Sequence, residues 1–204
     1  MSQGVLPFST EPTVSPLDKR VAAEIVKTNH YLHRVPPISY CFGCFDGYDI
    51  AGVVTFGVPA SRHVQMSACP SNPDVVLELN RLWVKDSQPR NTASWFVARA
   101  LTLVPPSIVV SYADSAVGHV GYVYRAMNWH YAGQTDNDRK TPRFDLVPNR
   151  GGHSRDSYRN GNTGIRVPRA PKARYWQVTG NRTDRRRLAA LCGWPTLPWS
   201  EVAP

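Results

Sequence analysis

The side chains best suited to take part in chemistry lie between Leu77 and Gly133. An apolar strand-like run, Val75–Val84, leads into the polar loop Asp86–Thr92, then a helical pattern and a second apolar strand, Ile108–Tyr112. A strand, polar loop, helix and strand can hold a phosphate at the helix start and place polar groups at the end of the second strand. We therefore predict a binding site in this segment.

The loop carries the sequence Gln88-Pro89-Arg90-Asn91-Thr92-Ala93-Ser94. Free backbone N–H groups at the helix start, a guanidinium and a hydroxyl would together hold a pyrophosphate or another anion. Alternatively, Ser94 or Thr92 could only cap the helix. We predict that Arg90, Asn91 and Ser94 bind the cofactor or donor.

Polar residues also follow the second strand, in Ser111-Tyr112-Ala113-Asp114. A carboxylate just past a strand end, here Asp114, can ligate a metal, orient a base or accept a proton, or it can simply cap the next turn. The glycine-flanked His119 is a candidate base or a support for the backbone. Tyr122 and Tyr124 are two residues apart, so on a helix they point in different directions.

A further polar group, His30-Tyr31-Leu32-His33, stands at the end of the first predicted helix. Histidines in helices are most often surface residues, and His30 and His33 could share one face. Together with Asp114 and Tyr124, His30 and Tyr31 would make a nitrogen and oxygen ligand set that suits iron. Spacing alone does not establish that these four residues meet.

The elements that must position these residues follow from apolar periodicity and turn signals. A first helix is expected from Leu17 to about His33, capped near Ser15, with Pro16 at its start. Asp46-Gly47 predicts a hairpin between two strands. The expected strands are 38–45, 48–56, 75–84, 107–113, 129–133 and 175–179, and the further helices are 93–103, 117–127 and 183–191.

This order of elements, β-β-β-loop-α-β-α-β, matches the fold of the Gcn5-related acyltransferases (GNAT), whose pyrophosphate loop lies at the same place. A typical acyltransferase loop holds more glycine than the one here, so acyl-CoA is an uncertain donor. The fold class expected is α/β (α+β), with a central mixed sheet flanked by helices. The 204 residues suggest one domain, 1–204, with a basic, loop-rich insertion at 134–174.

Charge is distributed unevenly along the chain. Residues 1–132 carry 10 Lys/Arg and 9 Asp/Glu, whereas residues 133–204 carry 14 and 6, which is almost the whole net charge of +9. A polyanionic partner is favoured over a merely solvated basic surface. The arginines expected to bind nucleic acid are Arg155, Arg159, Arg166, Arg169, Arg174, Arg185 and Arg186.

Cysteine content and hydropathy argue for a reduced protein without a membrane anchor. Cys41 and Cys44 form one C-x-x-C whose strand-like surroundings send the two side chains to opposite faces, and no second pair accompanies them. Buried, reduced cysteines are favoured over a metal knuckle or a redox pair. No apolar run reaches the roughly 20 residues of a membrane helix, and the first 16 residues lack the features of a signal peptide.

Three motifs occur in a fixed order: HYLHR at His30, PRNTAS at Pro89, and SYAD followed by GHVGYVYRAMNWHYAG between Ser111 and Gly133. In this combination the chain resembles the Mom DNA-modification proteins of transposable bacteriophages. The resemblance covers about half of the chain, from His30 to Gly133. The first 29 residues and the basic C-terminal part contain no motif of that family.

The resemblance implies a GNAT-like transferase that converts the N6 amine of adenine to an N6-carbamoylmethyl (acetamido) derivative and so protects phage DNA from host restriction. The expected setting is the cytoplasm of the infected bacterial host. The family is linked to bound iron, for which the matching positions are His30, Tyr31, Asp114 and Tyr124. The catalytic residues expected on this basis are those four with Ser111 and His119. The donor stays open between acyl-CoA and an aminoacyl-type species.

The chemistry of this reaction places demands on the chain. Adenine N6 is a poor nucleophile and is paired inside double-stranded DNA, so the base must be flipped out and a proton acceptor must lie close to it. Aromatic surfaces for stacking are needed, and Trp129, Tyr131, Tyr158 and Trp176 are candidates, although each could equally belong to the core.

Two other functions compete with this one. An ordinary GNAT N-acyltransferase could act on a small-molecule or protein amine, but the basic C-terminal part argues against it. A non-catalytic nucleic-acid-binding protein could keep the same fold, but the polar residues at the ends of the central strands argue against that.

Overall fold

A computed structural model of the chain describes residues 11–136, 140–141, 143–148 and 164–201. Its centre is a seven-stranded mixed sheet in the order β1-β2-β3-β4-β5-β9-β6. The strands of this sheet are β1 (Thr13–Pro16), β2 (Tyr40–Asp46), β3 (Asp49–Gly57), β4 (Val76–Val84), β5 (Ile108–Asp114), β6 (His130–Gln134) and β9 (Lys172–Val178). Only β4 and β5 are parallel neighbours; the other pairs are antiparallel.

Five helices flank the sheet in the described residues: α1 (Lys19–Asn29), α2 (Arg62–Ala68), α3 (Thr92–Leu103), α4 (Tyr122–Ala126) and α5 (Arg182–Leu191). A small second sheet consists of β7 (Phe144–Pro148) and β8 (Gly164–Pro168). The predicted α/β class, with a central mixed sheet between helices, is therefore confirmed. No helix in the part of the chain that the structure describes is long and apolar enough to cross a membrane.

The sheet separates apolar layers because successive side chains on a strand point to opposite faces. One core layer contains Phe42, Cys44 and Phe96 of α3, whereas Cys41 belongs to a different cluster with Val26 of α1. The predicted separation of Cys41 and Cys44 is confirmed. All four cysteines are free thiols.

The Asp46-Gly47 turn forms as predicted and joins β2 to β3, with Gly47 at a φ of 62°. The predicted start of the first helix is wrong. Ser15 and Pro16 lie in edge strand β1, and the cap is Asp18, whose carboxylate accepts from the N–H groups of Arg20 and Val21. The short segment before the helix forms a strand because β2 offers it an open edge.

The predicted helix 117–127 is also wrong in its length. A 3₁₀ turn at Ser115–Val117 comes first, and α4 begins only at Tyr122, because Gly118 and Gly121 adopt φ values of +76° and +77°. Such backbone angles interrupt a right-handed helix. Tyr122 is exposed and Tyr124 buried, so their predicted divergence is confirmed.

The segment 134–174 has more regular structure than the sequence predicts. It contains the β7–β8 hairpin, and Lys172–Arg174 already belong to β9 of the central sheet. The backbone pairing of Lys172 with Asp114 begins β9 three residues earlier than the predicted strand at 175.

Candidate active site

The parallel neighbours β4 and β5 pair along only part of their length. Three residue pairs join Val76–Glu78 to Ile108–Val110, after which β4 continues beside β3 and β5 beside β9. A cavity of about 430 Å³ lies where the two strands are unpaired. The split in the sheet therefore creates the site.

The cavity is lined from both faces of the sheet. Leu79, Ala113 and Tyr124 belong to the core layer of α3, whereas Tyr112 packs with the layer on the opposite face. The cavity thus crosses the sheet. Of the catalytic residues predicted from the sequence, all six line it: His30, Tyr31, Ser111, Asp114, His119 and Tyr124.

Tyr124 and Ser111 form a directed hydrogen-bond chain at the centre of the cavity. The Ser111 hydroxyl donates to the carbonyl of Leu79 at 2.8 Å and lies 2.7 Å from the Tyr124 hydroxyl. A serine has a single hydroxyl proton, and the Leu79 carbonyl receives it, so Tyr124 must be the donor to Ser111. The phenol oxygen of Tyr124 keeps lone pairs for a further partner.

Burial keeps Tyr124 neutral. Desolvation raises its pKa to about 12, although the hydrogen bond with Ser111 acts in the opposite direction. Its ring stacks on Tyr175, with centroids 4.7 Å apart, and packs against Trp129 at 5.0 Å. Gly121, just before α4, makes this stacking possible, since a Cβ there would lie 2.2 Å from the Tyr175 hydroxyl. Tyr124 is therefore a rigidly held proton donor.

Asp114 organises the rim of the cavity. Its carboxylate accepts from the Ala116 N–H at 3.1 Å and pairs with Lys172 at 2.7 Å, and its carbonyl accepts from the His119 N–H. The capping role considered from the sequence is thus observed, together with an ion pair. Asp114 connects β5, β9 and the His119 turn.

His30 is buried at the C-terminal end of α1, where its backbone N–H donates to Val26. The Leu32 N–H donates to its Nδ1 at 3.1 Å. Desolvation, with smaller effects of Arg81 and His119, lowers the pKa of His30 to about 4. The ring is therefore neutral with its proton on Nε2, so His30 is a hydrogen-bond donor rather than a base at neutral pH.

Tyr31 and His119 form the accessible aromatic side of the cavity. The Tyr31 ring stacks on His30 at 4.4 Å between centroids and meets the edge of His119 at 5.2 Å. Tyr31 is 41% exposed, and burial together with the Asp114 carboxylate raises its pKa. His119 is exposed to solvent.

The predicted donor loop lies beside the cavity, at the start of α3. Asn91 occupies the cap position at a φ of 70°, but its side chain makes no capping hydrogen bond. The hydroxyls of Thr92 and Ser94 donate to the carbonyls of Pro89 and Asn91. They therefore do not cap the helix; the Thr92 N–H donates to the carbonyl of Pro89, and the N–H groups of Ala93 and Ser94 stay available to an anion. Ala93 of the first turn lines the cavity, whereas Arg90, Asn91 and Ser94 do not.

Six polar residues that line the cavity were not among the site residues predicted from the sequence: Glu78, Asn80, Arg81, Tyr112, Tyr122 and Lys172. Burial raises the pKa of Glu78, while Arg81 and the backbone N–H of Ala60 oppose the shift. A carboxylate within the apolar run Val75–Val84 was a signal that could have revealed Glu78. Lys172 had no such signal, because only the sheet register brings it to Asp114.

The predicted iron ligands share the cavity, but their donor atoms are engaged. His30 Nδ1 accepts a backbone N–H, the Asp114 carboxylate is paired with Lys172, and the Tyr124 hydroxyl donates to Ser111. A metal on His30 Nε2 would require the other tautomer, which Leu32 disfavours. Among the described residues, no group of three or more His, Cys, Asp or Glu could hold a metal ion. The four residues do not fit iron as they are arranged here.

The predicted stacking surfaces are core residues. Trp129, Tyr131 and Trp176 are all buried, so the core alternative is correct for these three. Tyr158 lies outside the described residues. The aromatic side chains that are both exposed and in the cavity wall are instead Tyr31 and Tyr122.

The predicted nucleic-acid-binding arginines fall into three groups. The exposed ones are Arg166, Arg169, Arg185 and Arg186. Arg174 is only half-exposed, and its guanidinium lies 5.4 Å from the ring centroid of Trp194. It is therefore placed to pack within the protein. Arg155 and Arg159 lie outside the described residues.

A mixed sheet flanked by helices, with a polar cavity between two of its central strands, defines the class of this protein as a split-sheet α/β fold. The chain belongs to the Mom protein family, whose family model matches residues 11–183. A curated relative, the methylcarbamoylase Mom of Escherichia phage Mu, is 32% identical over 139 residues, which make up 63% of this chain and 56% of the relative. The chain thus spans just over half the length of that protein.

Several solved structures are similar at low sequence identity. A GNAT-family acetyltransferase from Bacillus cereus is 12% identical, with 84% of this chain and 100% of that chain covered and a TM-score of 0.47. The yncA protein of Salmonella typhimurium, determined with its cofactor acetyl-CoA, is 11% identical, with 85% and 96% covered and a TM-score of 0.49. An N-acetyltransferase from Staphylococcus aureus is 13% identical, with 83% and 99% covered and a TM-score of 0.47.

Proposed function

We propose that this chain is a phage DNA-modification transferase that converts adenine in double-stranded DNA to N6-carbamoylmethyl adenine, acting in the cytoplasm of the infected host. The observation that carries the proposal is the cavity through the split sheet of a Mom family chain. Because the cavity crosses the sheet, the donor can enter from one face of the sheet and the adenine from the opposite face. The methylcarbamoylase name of the phage Mu relative supports the group transferred.

The adenine is proposed to enter from the side of α1. Tyr31 is the exposed aromatic surface there, and a flipped base gains stacking energy on such a ring. The Nε2–H of His30, beneath Tyr31, is available to donate to a ring nitrogen. His119 touches Tyr31 and is the group proposed to accept the proton that N6 loses as the bond from N6 to the methylene carbon of the carbamoylmethyl group forms and the bond from that carbon to its leaving group on the donor breaks.

The donor is proposed to enter from the side of α3. The uncapped N–H groups at the start of this helix, with Arg90, suit the phosphates of an acyl-CoA or the backbone of an aminoacyl-tRNA. The Tyr124 hydroxyl donates to Ser111, and its O–H is proposed to rotate from Ser111 toward the donor and to protonate the leaving group. We propose Asp114 as the residue that holds the His119 turn and Lys172 in place. No step is assigned to iron.

The test is nucleoside mass spectrometry on DNA from cells that express the protein. We expect N6-carbamoylmethyl deoxyadenosine with the wild-type chain and about 100-fold less with Asp114→Ala, since displacement of a catalytic group by about 1 Å can cost that factor. Asp74→Ala is the matched control, because this aspartate also forms an ion pair, with Arg62, but at the surface. Its yield should stay at the wild-type level.

The outcomes separate the competing functions. Unmodified deoxyadenosine under active expression, with purified protein that acetylates small-molecule or protein amines, would establish the N-acyltransferase alternative. DNA binding without any modification would establish a binding protein. An undiminished yield in folded Asp114→Ala would refute the role given to Asp114 while leaving the reaction in place.

A further inference from the structure

The β7–β8 hairpin is a two-stranded ribbon outside the central sheet. Five residue pairs join Phe144–Pro148 to Gly164–Pro168 in antiparallel register. Within the described residues, neither strand pairs with the seven-stranded sheet. Five residues per strand give a length of about 17 Å at roughly 3.4 Å per residue. A ribbon of this size fits the major groove of B-DNA, which is about 12 Å wide.

The ribbon is attached at the rim of the cavity. The chain leaves β6 at Thr135 and returns at Lys172, where the Thr135 N–H donates to the Lys172 carbonyl at 2.8 Å and the Lys172 N–H donates to the Thr135 hydroxyl at 2.9 Å. Lys172 itself lines the cavity and pairs with Asp114. The Ser115 hydroxyl donates to the carbonyl of Pro171 at 3.4 Å. The ribbon therefore begins and ends beside the groups proposed to act on the adenine.

The ribbon and its approaches carry a strong positive charge. Residues 134–174 hold ten Lys/Arg and four Asp/Glu. Arg166 is exposed and its guanidinium lies 4.8 Å above the ring of Phe144, which holds the cation on the ribbon. Arg169 at the end of β8 is exposed as well, and its N–H is bonded to the carbonyl of Arg143.

The ribbon also presents uncovered apolar side chains. Val147, Ile165 and Val167 are 52%, 68% and 42% exposed, and the strand register puts Val147 directly across from Ile165. Adjacent apolar side chains left in water signal a surface that meets a partner. Arg169 continues the alternation of Ile165 and Val167 and so lies on their face, whereas Arg166 lies with Phe144 on the opposite face. A cation beside an apolar surface indicates a partner with phosphates on the outside and apolar groups within reach, which describes duplex DNA in its major groove.

We propose that the β7–β8 ribbon docks on the duplex that flanks the target adenine, with Arg169 on a phosphate and Ile165 toward the groove. This inference rests on the proposed DNA substrate and assigns the element that positions it. Because the ribbon is attached at the rim of the cavity, it sets the distance between the bound duplex and the flipped base.

The first test measures binding of a duplex oligonucleotide by fluorescence anisotropy as a function of salt. Each lost phosphate contact lowers the slope of log K against log salt by about 0.9, so Arg169→Ala should lower it by about 0.9. The matched control is Arg20→Ala, which removes the same charge from an exposed position on α1. A slope equal to that of the control would overturn the inference.

The second test uses a photo-crosslinking residue, p-benzoylphenylalanine, in the full-length chain. Placed at Ile165 it should crosslink to duplex DNA, whereas placed at Tyr48, which is fully exposed in the β2–β3 turn, it should not. Crosslinks from position 165 to a second copy of the chain, or none to DNA, would overturn the inference. Wild-type protein that binds no duplex at all would instead refute the proposed function, so the two failures are distinguishable.

Discussion

Substitution of Tyr124 by phenylalanine separates the catalytic from the structural role of the buried hydroxyl. The change deletes the hydrogen bond to Ser111 and keeps the ring stacked on Tyr175. Ser111 still donates to Leu79, so no buried donor is left without a partner. A neutral hydrogen bond contributes about 1 kcal/mol to the free energy of unfolding, which corresponds to a fall in Tm of about 2–4 °C for a chain of this size.

The effect on the reaction should be far larger than the effect on stability. If Tyr124 supplies the proton of the leaving group, its loss removes a general-acid contribution of about 10²–10⁴ in rate. We therefore expect the yield of modified deoxyadenosine to fall by about 100-fold or more. The assay is a time course of modification by nucleoside mass spectrometry, with differential scanning calorimetry of the same preparation.

Ser111→Ala provides the matched comparison. It takes the acceptor away from the Tyr124 hydroxyl and the donor away from the Leu79 carbonyl, and each buried polar group without a partner costs about 1–3 kcal/mol. The Tm should therefore fall further than in Tyr124→Phe. Full activity in Tyr124→Phe, together with the small expected change in Tm, would refute the proton-donor role and leave Tyr124 as a core residue.

The remaining predictions concern pH and backbone geometry. Folding lowers the pKa of His30 from 6.5 to about 4. Its contribution to stability is therefore present above pH 6.5 and is lost as the pH falls toward 4, because the unfolded state binds a proton at a higher pH than the folded state does. His30→Gln should flatten the fall of Tm in this window, and a fall parallel to that of the wild-type protein would contradict the lowered pKa of His30. Gly121→Ala should destabilise the fold by about 2 kcal/mol or more, since it adds a clash with Tyr175 to the cost of the left-handed backbone, which is about 1–2 kcal/mol. Gly118→Ala has the same backbone angle but open space, so it should show the backbone cost alone by thermal unfolding, and equal losses in the two variants would exclude the clash.

The elements of the fold were predictable where local patterns dominate. The apolar run ending at Val84, the Asp46-Gly47 turn and the helix from Thr92 were all recognisable from the sequence. The start of α1 was mispredicted because β1 is stabilised by its pairing with β2, a contact 26 to 32 residues away along the chain. The helix predicted at 117–127 was too long because two glycines with positive φ interrupt it.

The residues able to take part in chemistry were also visible in the sequence, but not their roles. From its residue type, His30 could be a base or a metal ligand. Only its burial and the hydrogen bond from the Leu32 N–H define it as a hydrogen-bond donor through Nε2. From their residue type, Trp129 and Trp176 could stack on a nucleic-acid base, and only the packing shows that they belong to the core. Residue type limits the chemistry, whereas the protonation state and access depend on neighbours from distant segments.

By itself the sequence determined the alternation of strands and helices, the basic C-terminal part and the polar positions around Asp114, because these follow from periodicity and composition. Only the tertiary structure decided that β4 and β5 separate after three residue pairs and that a cavity lies between them. It also decided that Lys172 pairs with Asp114 across 58 positions of sequence. The physical reason is that sheet register and burial are long-range properties, set by the contacts of the whole chain.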